Sequence, residues 1–145
     1  MKLIVSTKIS EKYRAEMLVY CVEQKRNGKV NVPKSLNNKS FKKACELGDF
    51  KADEGDVLFD YTDVRASKNF KRIAFVGLGK LPKNIKKHEL REKMRKIGGN
   101  IAKICKKTDV AKLCVIPPQI TEENNLTTSL YCLTEGLVLG DYIFK

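Results

Sequence analysis

The sequence predicts an α/β fold in which helices cover a β-sheet. Apolar runs rich in valine, isoleucine and aromatic residues alternate along the chain with segments of helical periodicity. Residues 73–76 are apolar on both faces, as expected for a strand in the middle of a helix-covered sheet. A single apolar stripe then marks a long helix, and it comprises Leu90, Met94, Ile97, Ile101, Ile104 and Cys105.

Five shorter segments precede the central strand at residues 71–78. Residues 2–6 are a brief apolar run, and residues 16–24 predict an inner strand. An Asn27-Gly28 turn leads to a short edge strand over residues 29–32. A helix begins at Asn38 or Ser40 and ends at Gly48, and residues 57–62 alternate as a strand does.

Two helices and a strand follow the central strand. The long helix begins between residues 84 and 88 and contains Gly98-Gly99, which cost about 1 kcal/mol each relative to alanine. Close approach to a neighbouring backbone would offset that cost, and a kink is the alternative. Residues 112–118 predict a buried strand. The last helix begins at a Thr121 cap and ends at Gly140 before an extended tail, and its core face comprises Leu126, Leu130, Leu133 and Leu137.

The composition is typical of one folded domain spanning residues 1–145. Hydrophobic residues make up 42% and charged residues 32% of the chain, which excludes a disordered or membrane-embedded protein. No apolar run approaches the roughly 18 residues that a membrane-spanning helix needs. The apolar stretch at residues 3–5 is also too short for a signal peptide core. We therefore expect a cytoplasmic protein without a membrane partner.

The cysteine and histidine content argues against a metal centre. The five cysteines are widely spaced, lack a C-x-x-C pair and have apolar neighbours, which favours reduced thiols packed as small hydrophobes. His88 is the only histidine, so a Cys/His zinc site is not expected. Asp53, Glu54 and Asp56 surround a glycine and are interpreted as a solvated loop. The sequence therefore predicts no catalytic, cofactor-binding or metal-binding residue.

Most of the excess positive charge lies in one segment. The net charge is +12, and residues 80–112 carry 12 Lys or Arg against 3 acidic residues. A basic helix over residues 86–107 would attract nucleic acid, with contacts from Arg95, Lys96, Lys103 and Lys106. A solvated helix face is the alternative, because the excess is mostly lysine and no aromatic residue interrupts the basic face to stack on bases.

The central strand runs into Gly77-Leu78-Gly79-Lys80, where a nucleotide-binding loop would lie. The dinucleotide fingerprint G-x-G-x-x-G requires a third glycine at position 82, which is proline here. The phosphate-binding loop G-x-x-x-x-G-K-[ST] does not occur either. We therefore interpret the two glycines as a tight strand exit in which glycine permits a positive φ, and we expect no bound nucleotide.

Three segments resemble, in this order, the N-terminal domain of the leucyl aminopeptidases (cytosol aminopeptidases). They are FVGLGK, the helix LREKMRKIGGNIAKICKK with the following VAKLCVIPP, and the ending LTEGLVLGDYIFK. The ending is similar to the family segment A-E-G-x-x-L-G-x-Y-x-F. The resemblance is strong from residue 71 onwards and weaker before it. It implies a macro-domain-like three-layer fold, with a mixed β-sheet flanked by helices.

The resemblance further implies that the family's catalytic C-terminal domain is absent from this chain. The family motif N-T-D-A-E-G-R does not occur, and none of the family's catalytic or metal-binding residues maps onto a position here. The chain is then a non-enzymatic domain with an assembly or regulatory role, and its partner is the catalytic domain of the same polypeptide. The parent enzyme would be a homo-hexamer with two divalent metals (zinc, manganese or magnesium) that removes N-terminal residues, leucine preferred.

Two other functions remain open at this point. One is binding of DNA or another nucleic acid by the basic helix. The other is binding of ADP-ribose, which rests only on fold analogy with macro domains.

Overall fold

The computed structural model describes residues 15–32, 38–61, 70–82, 84–118 and 123–141. The predicted strand at residues 2–6, the Thr121 cap, the extended tail over residues 142–145 and the side chain of Leu126 lie outside this part. Strands and helices alternate along the described chain, in the order β1 (Met17–Gln24), α1 (Lys39–Leu47), β2 (Val57–Asp60), β3 (Arg72–Lys80), α2 (Lys87–Thr108), β4 (Leu113–Ile116) and α3 (Glu123–Asp141).

The four described strands form one mixed sheet in the order β2-β3-β1-β4. β1 pairs in parallel with both β3 and β4, whereas β2 pairs antiparallel with β3. The predictions that residues 71–78 and residues 16–24 form interior strands are confirmed. β4 lies at an edge of the described sheet and its four residues are half-buried, unlike the buried strand predicted for residues 112–118. Described residues 29–32 contribute a single bridge, from Val30 to Gln24, in place of the predicted edge strand.

Helices pack on both faces of the sheet, which gives three layers. One face carries α1, and Phe41 stacks on Phe75 of β3 with ring centroids 4.2 Å apart. The opposite face carries α2 and α3 in one core with β1 and β3. The predicted stripe of α2 lies in this core, with Ile104 only partly buried, and Leu133 and Leu137 of α3 complete it. The α/β fold with helices on both sides of a mixed sheet is therefore confirmed.

Asn38 sets the start of α1 and ties it to the sheet. Its side-chain oxygen accepts a hydrogen bond from the Phe41 N–H at 2.8 Å, the usual arrangement of a helix N-cap. Its amide nitrogen donates to Oδ2 of Asp60 at 2.6 Å, and both side chains are buried. Gly48 ends the helix with φ of 77°, as glycine does at this position. Of the two predicted caps, the structure selects Asn38.

α2 and α3 approach each other closely along a seam of small residues. A Cβ on Gly98 would lie 2.7 Å from the Leu137 nitrogen, and a Cβ on Gly136 would lie 2.8 Å from the Arg95 carbonyl carbon. Close backbone approach is thus the reason for Gly98, as predicted. Gly140 also lies inside α3 and does not end it, since the helix extends to Asp141. A Cβ there would meet the Ala102 side chain at 2.7 Å, so tertiary packing retains glycine within the helix.

Candidate functional site

The carboxyl ends of the parallel strands β1 and β3 lie at the same edge of the sheet, and ligands of open α/β sheets bind outside the carboxyl ends of strands. Here a loop over residues 52–56 lies against β3. The Gly77 N–H donates to the Asp56 carbonyl at 2.8 Å, and the Gly79 N–H donates to the Ala52 carbonyl at 2.8 Å. The Gly55 N–H donates in turn to the Gly77 carbonyl at 3.2 Å. The strand end is therefore occupied by the protein's own backbone.

The two glycines of β3 have different roles. A Cβ on Gly77 would lie 2.7 Å from the carbonyl carbon of Ala52, so the close loop requires glycine at this position. Gly79 has φ of 70° and lies in a β-bulge, where the pairing with β1 shifts by one residue. The predicted positive φ is confirmed at Gly79. The predicted strand exit is corrected, because β3 continues through both glycines to Lys80.

This arrangement bears on nucleotide binding. A glycine-rich phosphate loop works because its backbone N–H groups point at the ligand. The N–H groups of Gly77 and Gly79 already donate to loop carbonyls. Neither a dinucleotide nor ADP-ribose gains support from this strand end.

Polar side chains close the same end of the sheet. Gln24 donates to the Lys51 carbonyl at 2.7 Å and to Oδ1 of Asp53 at 2.5 Å. Lys93 of α2 reaches across and donates to the Lys80 carbonyl at 2.7 Å. Burial lowers the pKa of Lys93, and the charges of Glu54 and Glu23 oppose that shift. These contacts join α2, the loop and β3 into one unit.

Glu23 belongs to the same group. Burial raises the pKa of Glu23, while its hydrogen bond from Asn31 and the charge of Lys93 lower it. Asn31 donates to the Glu23 carboxylate at 3.2 Å. A carboxylate with a raised pKa is a common feature of general acids, but here its surroundings are groups that hold strand ends together. We interpret this cluster as structural.

Of the four predicted nucleic-acid contacts, Arg95 faces α3. Its Nε donates to Oε2 of Glu135 at 3.2 Å, and a second ion pair joins Arg95 to Glu92 at 3.6 Å. The hydrogen bond to Glu135 raises the pKa of the Arg95 guanidinium. Arg95 therefore contributes to the contact between α2 and α3, and its charge is compensated locally.

The other three predicted contacts are exposed on α2. Lys96 and Lys103 line a shallow cleft of about 280 Å³ together with Glu54, Gly99 and Asn100. Lys106 lies in the last turn of the helix, where a positive charge is favourable because the helix dipole is negative at that end. The structure thus brings Lys96 and Lys103 to one cleft, whereas the Arg95 side chain contacts Glu135 of α3.

The remaining residues considered in the sequence have ordinary surroundings. His88 is exposed on α2, and Asp53 and Glu54 are exposed in the loop that was predicted to be solvated. The five cysteines are free, with Cys21, Cys105 and Cys132 buried and Cys45 and Cys114 half-buried. Burial raises the pKa of Cys21 to about 12. Among the described residues, no three His, Cys, Asp or Glu side chains are placed to hold a metal ion.

No helix in the described part of the chain is both long and apolar enough to cross a membrane.

Sequence reasoning missed Lys93 and Glu135. Lys93 was one lysine among many, and its contact with Lys80 depends on how α2 lies over the end of β3. Glu135 meets Arg95 across 40 positions of sequence. No local pattern identifies such a pair.

These observations define a three-layer α/β domain whose polar groups at the strand ends are engaged with one another. The chain belongs to the cytosol aminopeptidase family, since residues 18–145 match the N-terminal domain of that family. It is 33% identical over 139 residues to a protein described as a probable cytosol aminopeptidase from Desulforapulum autotrophicum, an alignment that covers 92% of this chain. A protein of the same description from Protochlamydia amoebophila is 33% identical over 99 residues, or 67% of this chain.

The two relatives are much longer than the matched region. The alignments cover 26% of the Desulforapulum autotrophicum protein and 18% of the Protochlamydia amoebophila protein. Roughly three quarters or more of each relative thus lies outside the part that this chain resembles.

Proposed function

We propose that this chain is a non-catalytic N-terminal domain of an aminopeptidase of the cytosol aminopeptidase family, with a role in assembly or regulation. The observation that carries the proposal is the match of residues 18–145 to the N-terminal domain of the family, together with relatives several times longer. The proposal locates peptide hydrolysis and its two divalent metal ions (zinc, manganese or magnesium) in the remainder of such a protein. It also includes a hexameric parent enzyme in the cytoplasm.

The contacts within the domain support a structural role. The glycines that resembled a ligand loop bind a loop of the same chain, and Lys93 and Gln24 bind backbone carbonyls. A rigid domain of this kind is suited to hold other parts of a protein in place. Its chemistry is that of a scaffold.

A replacement experiment in the Desulforapulum autotrophicum relative tests this role. One variant of that protein lacks its matched region, and a second, the chimera, carries this chain in its place. We expect the deletion to lose its oligomeric state in native mass spectrometry or its hydrolysis of leucine p-nitroanilide, and the chimera to recover both. A chimera that behaves like the deletion would contradict the proposal.

Nucleic-acid binding is a second candidate, and the exposure of Lys96, Lys103 and Lys106 on α2 favours it. The compensated charge of Arg95 reduces the predicted footprint from four contacts to three. Lysine contacts of this type attract phosphate without reading sequence, and their strength falls steeply with salt.

A titration with duplex DNA at low and high salt tests the second candidate. If the face binds DNA, Lys96→Glu with Lys103→Glu should weaken binding at low salt by at least about tenfold. Lys42→Glu with Lys43→Glu is the matched control, because it makes the same charge change on exposed lysines of α1. Equal losses in both pairs would indicate unspecific attraction, and absence of binding at low salt would exclude the candidate.

A further inference from the structure

α3 presents an uncovered apolar face to solvent. Its opposite side is fixed against α2 by Gly136 and against the core by Leu133 and Leu137. The exposed side includes three large side chains, with Tyr131 exposed to 72%, Leu139 to 64% and Val138 to 55%. We define the outer face of α3 as Thr127, Tyr131, Thr134, Val138 and Leu139, which follow one another at intervals of four, three, four and one residues.

None of the five residues of the outer face of α3 is charged, and the acidic residues of the helix are Glu123, Glu135 and Asp141. α3 contains no lysine or arginine, although the chain as a whole carries a net charge of +12. The nearby Glu135 is paired with Arg95. The buried centre of a protein interface is typically poor in charged residues and rich in aromatic ones, and this face has the same composition. The other large exposed apolar residues of the described chain are Leu47 on α1, Val57 at the start of β2 and Tyr61 just after β2.

The greater length of the two relatives suggests what would cover the outer face of α3. Because the family match is to an N-terminal domain and the alignments cover 26% and 18% of the two relatives, we expect the remainder of such a protein to follow the region that this chain resembles. α3 is the last described element and ends at Asp141, four residues before the end of the family match at residue 145, so polypeptide that follows the matched region would be attached near this end of α3. A segment attached so near has a high effective concentration at the outer face, which favours docking within one polypeptide.

We propose that the outer face of α3 is the docking surface for the polypeptide that follows this domain in an aminopeptidase of the relatives' length. The inference rests on the proposed function and adds the surface through which the two parts meet. The partner surface is neutral and apolar at its centre, because a charge buried against Tyr131, Val138 and Leu139 would have no counter-ion. A nucleic acid does not fit this face, which offers no cation. A second copy is disfavoured, because two chains of net charge +12 repel each other.

Hydroxyl-radical footprinting of the isolated 145-residue chain and of the chimera tests the proposal. We expect the oxidation rates of Tyr131 and Leu139 to fall about fivefold or more in the chimera, since side chains at the centre of an interface lose nearly all solvent contact. Leu47 in α1 and Tyr61 just after β2 are the internal controls, because they lie outside α3 and are 63% and 66% exposed. Their rates should stay unchanged.

A variant with two charged residues on the outer face tests docking without unfolding the isolated chain. Val138→Lys with Leu139→Lys changes two exposed side chains, so the melting temperature of the isolated chain should not move. In the chimera the same pair should return Tyr131 to its oxidation rate in the isolated chain, whereas the control Leu47→Lys should not. If the pair of substitutions leaves Tyr131 protected in the chimera, docking does not involve this face.

Four outcomes would overturn the inference. Equal oxidation of Tyr131 in both proteins would leave the face uncovered. A chimera that is assembled and active but has an exposed Tyr131 would contradict the docking surface while the proposed function stands. A dimer of the isolated chain that Val138→Lys disperses would assign the face to a second copy. A chimera in which circular dichroism shows the remainder to be unfolded would indicate that the face does not fit that polypeptide.

One outcome would separate the two proposals in the other direction. A protected Tyr131 in a chimera that behaves like the deletion would support docking and contradict the proposed function.

Discussion

The backbone nitrogen of Leu137 lies 2.7 Å from the point that a Cβ on Gly98 would occupy. α2 and α3 therefore touch backbone to backbone, and no side chain fits between them. The neighbouring Gly99 is different, because a Cβ there would have no heavy atom within 4 Å. Substitutions at these two adjacent glycines therefore measure two different effects: close packing at Gly98 and helix propensity at Gly99.

We expect Gly98→Ala to lower the free energy of unfolding by about 2 kcal/mol, since a new methyl group in a packed contact forces the helices apart. Gly99→Ala should raise it by up to about 1 kcal/mol, because alanine is the better helix former and open space surrounds the site. Urea denaturation of both variants measures the difference. Equal effects of the two substitutions would show that the seam is not closely packed.

Gly77 and Gly79 offer a similar comparison in β3. We expect Gly77→Asn to destabilise the protein by about 2 kcal/mol or more, because its Cβ would collide with the backbone of Ala52. Gly79→Asn should be much milder, since asparagine tolerates the positive φ and its Cβ would meet only ordinary contacts. Thermal unfolding followed by circular dichroism orders the two. If Gly79→Asn destabilised the protein more than Gly77→Asn, the close contact with Ala52 would not be the reason for glycine at position 77.

Two hydrogen bonds of the Asn38 side chain have contributions that can be separated. Asn38→Ala removes the cap on Phe41 and a hydrogen bond to the buried Asp60 carboxylate, for an expected loss of about 3 kcal/mol. Asn38→Ser retains a capping oxygen, so its loss should be smaller by about 1 kcal/mol. Chemical denaturation measures both values. A loss below about 0.5 kcal/mol for Asn38→Ala would mean that neither contact stabilises the fold.

Cys21 should make the protein less stable in alkaline solution. Burial raises the pKa of its thiol from 9.0 to about 12 in the folded chain. Above pH 9 the unfolded chain therefore loses this proton while the folded chain keeps it, so the unfolded state binds fewer protons and stability falls as the pH rises. The expected slope is about −1.4 kcal/mol per pH unit between pH 9 and pH 12.

The comparison with Cys21→Ala isolates this contribution. The half-buried Cys45 and Cys114, whose pKa values burial also raises, are present in both proteins and cancel. Urea denaturation from pH 8 to pH 11 should therefore show the two free energies of unfolding converging as the pH rises. Parallel curves would mean that the Cys21 thiol ionises equally in both states.

The local sequence pattern was sufficient to predict the structure wherever a residue's position depended on its neighbours in sequence. The apolar run at residues 73–76 predicted an interior strand, and the stripe of α2 predicted which side of that helix is buried. Asn38 and Gly48 were identifiable as helix caps because capping acts over three or four residues. The mixed sheet and the three layers came from the family resemblance.

Positions that depend on distant residues could not be predicted in this way. Gly77 looked like a turn residue, but it is required by Ala52, which lies 25 positions earlier and reaches it only after folding. Gly140 looked like a helix stop, and its contact with Ala102 keeps it inside α3. Arg95 was indistinguishable from the neighbouring lysines until α3 brought Glu135 to it. In each case tertiary packing overrides a local preference.

An assay of leucine p-nitroanilide hydrolysis by the purified 145-residue chain decides whether this domain is non-catalytic. With zinc, manganese or magnesium added, we expect no release of p-nitroaniline above the rate of the metal alone. Metal-dependent release that co-purifies with the chain, and that a variant unfolded by Gly98→Leu lacks, would show that this domain has a catalytic centre of its own.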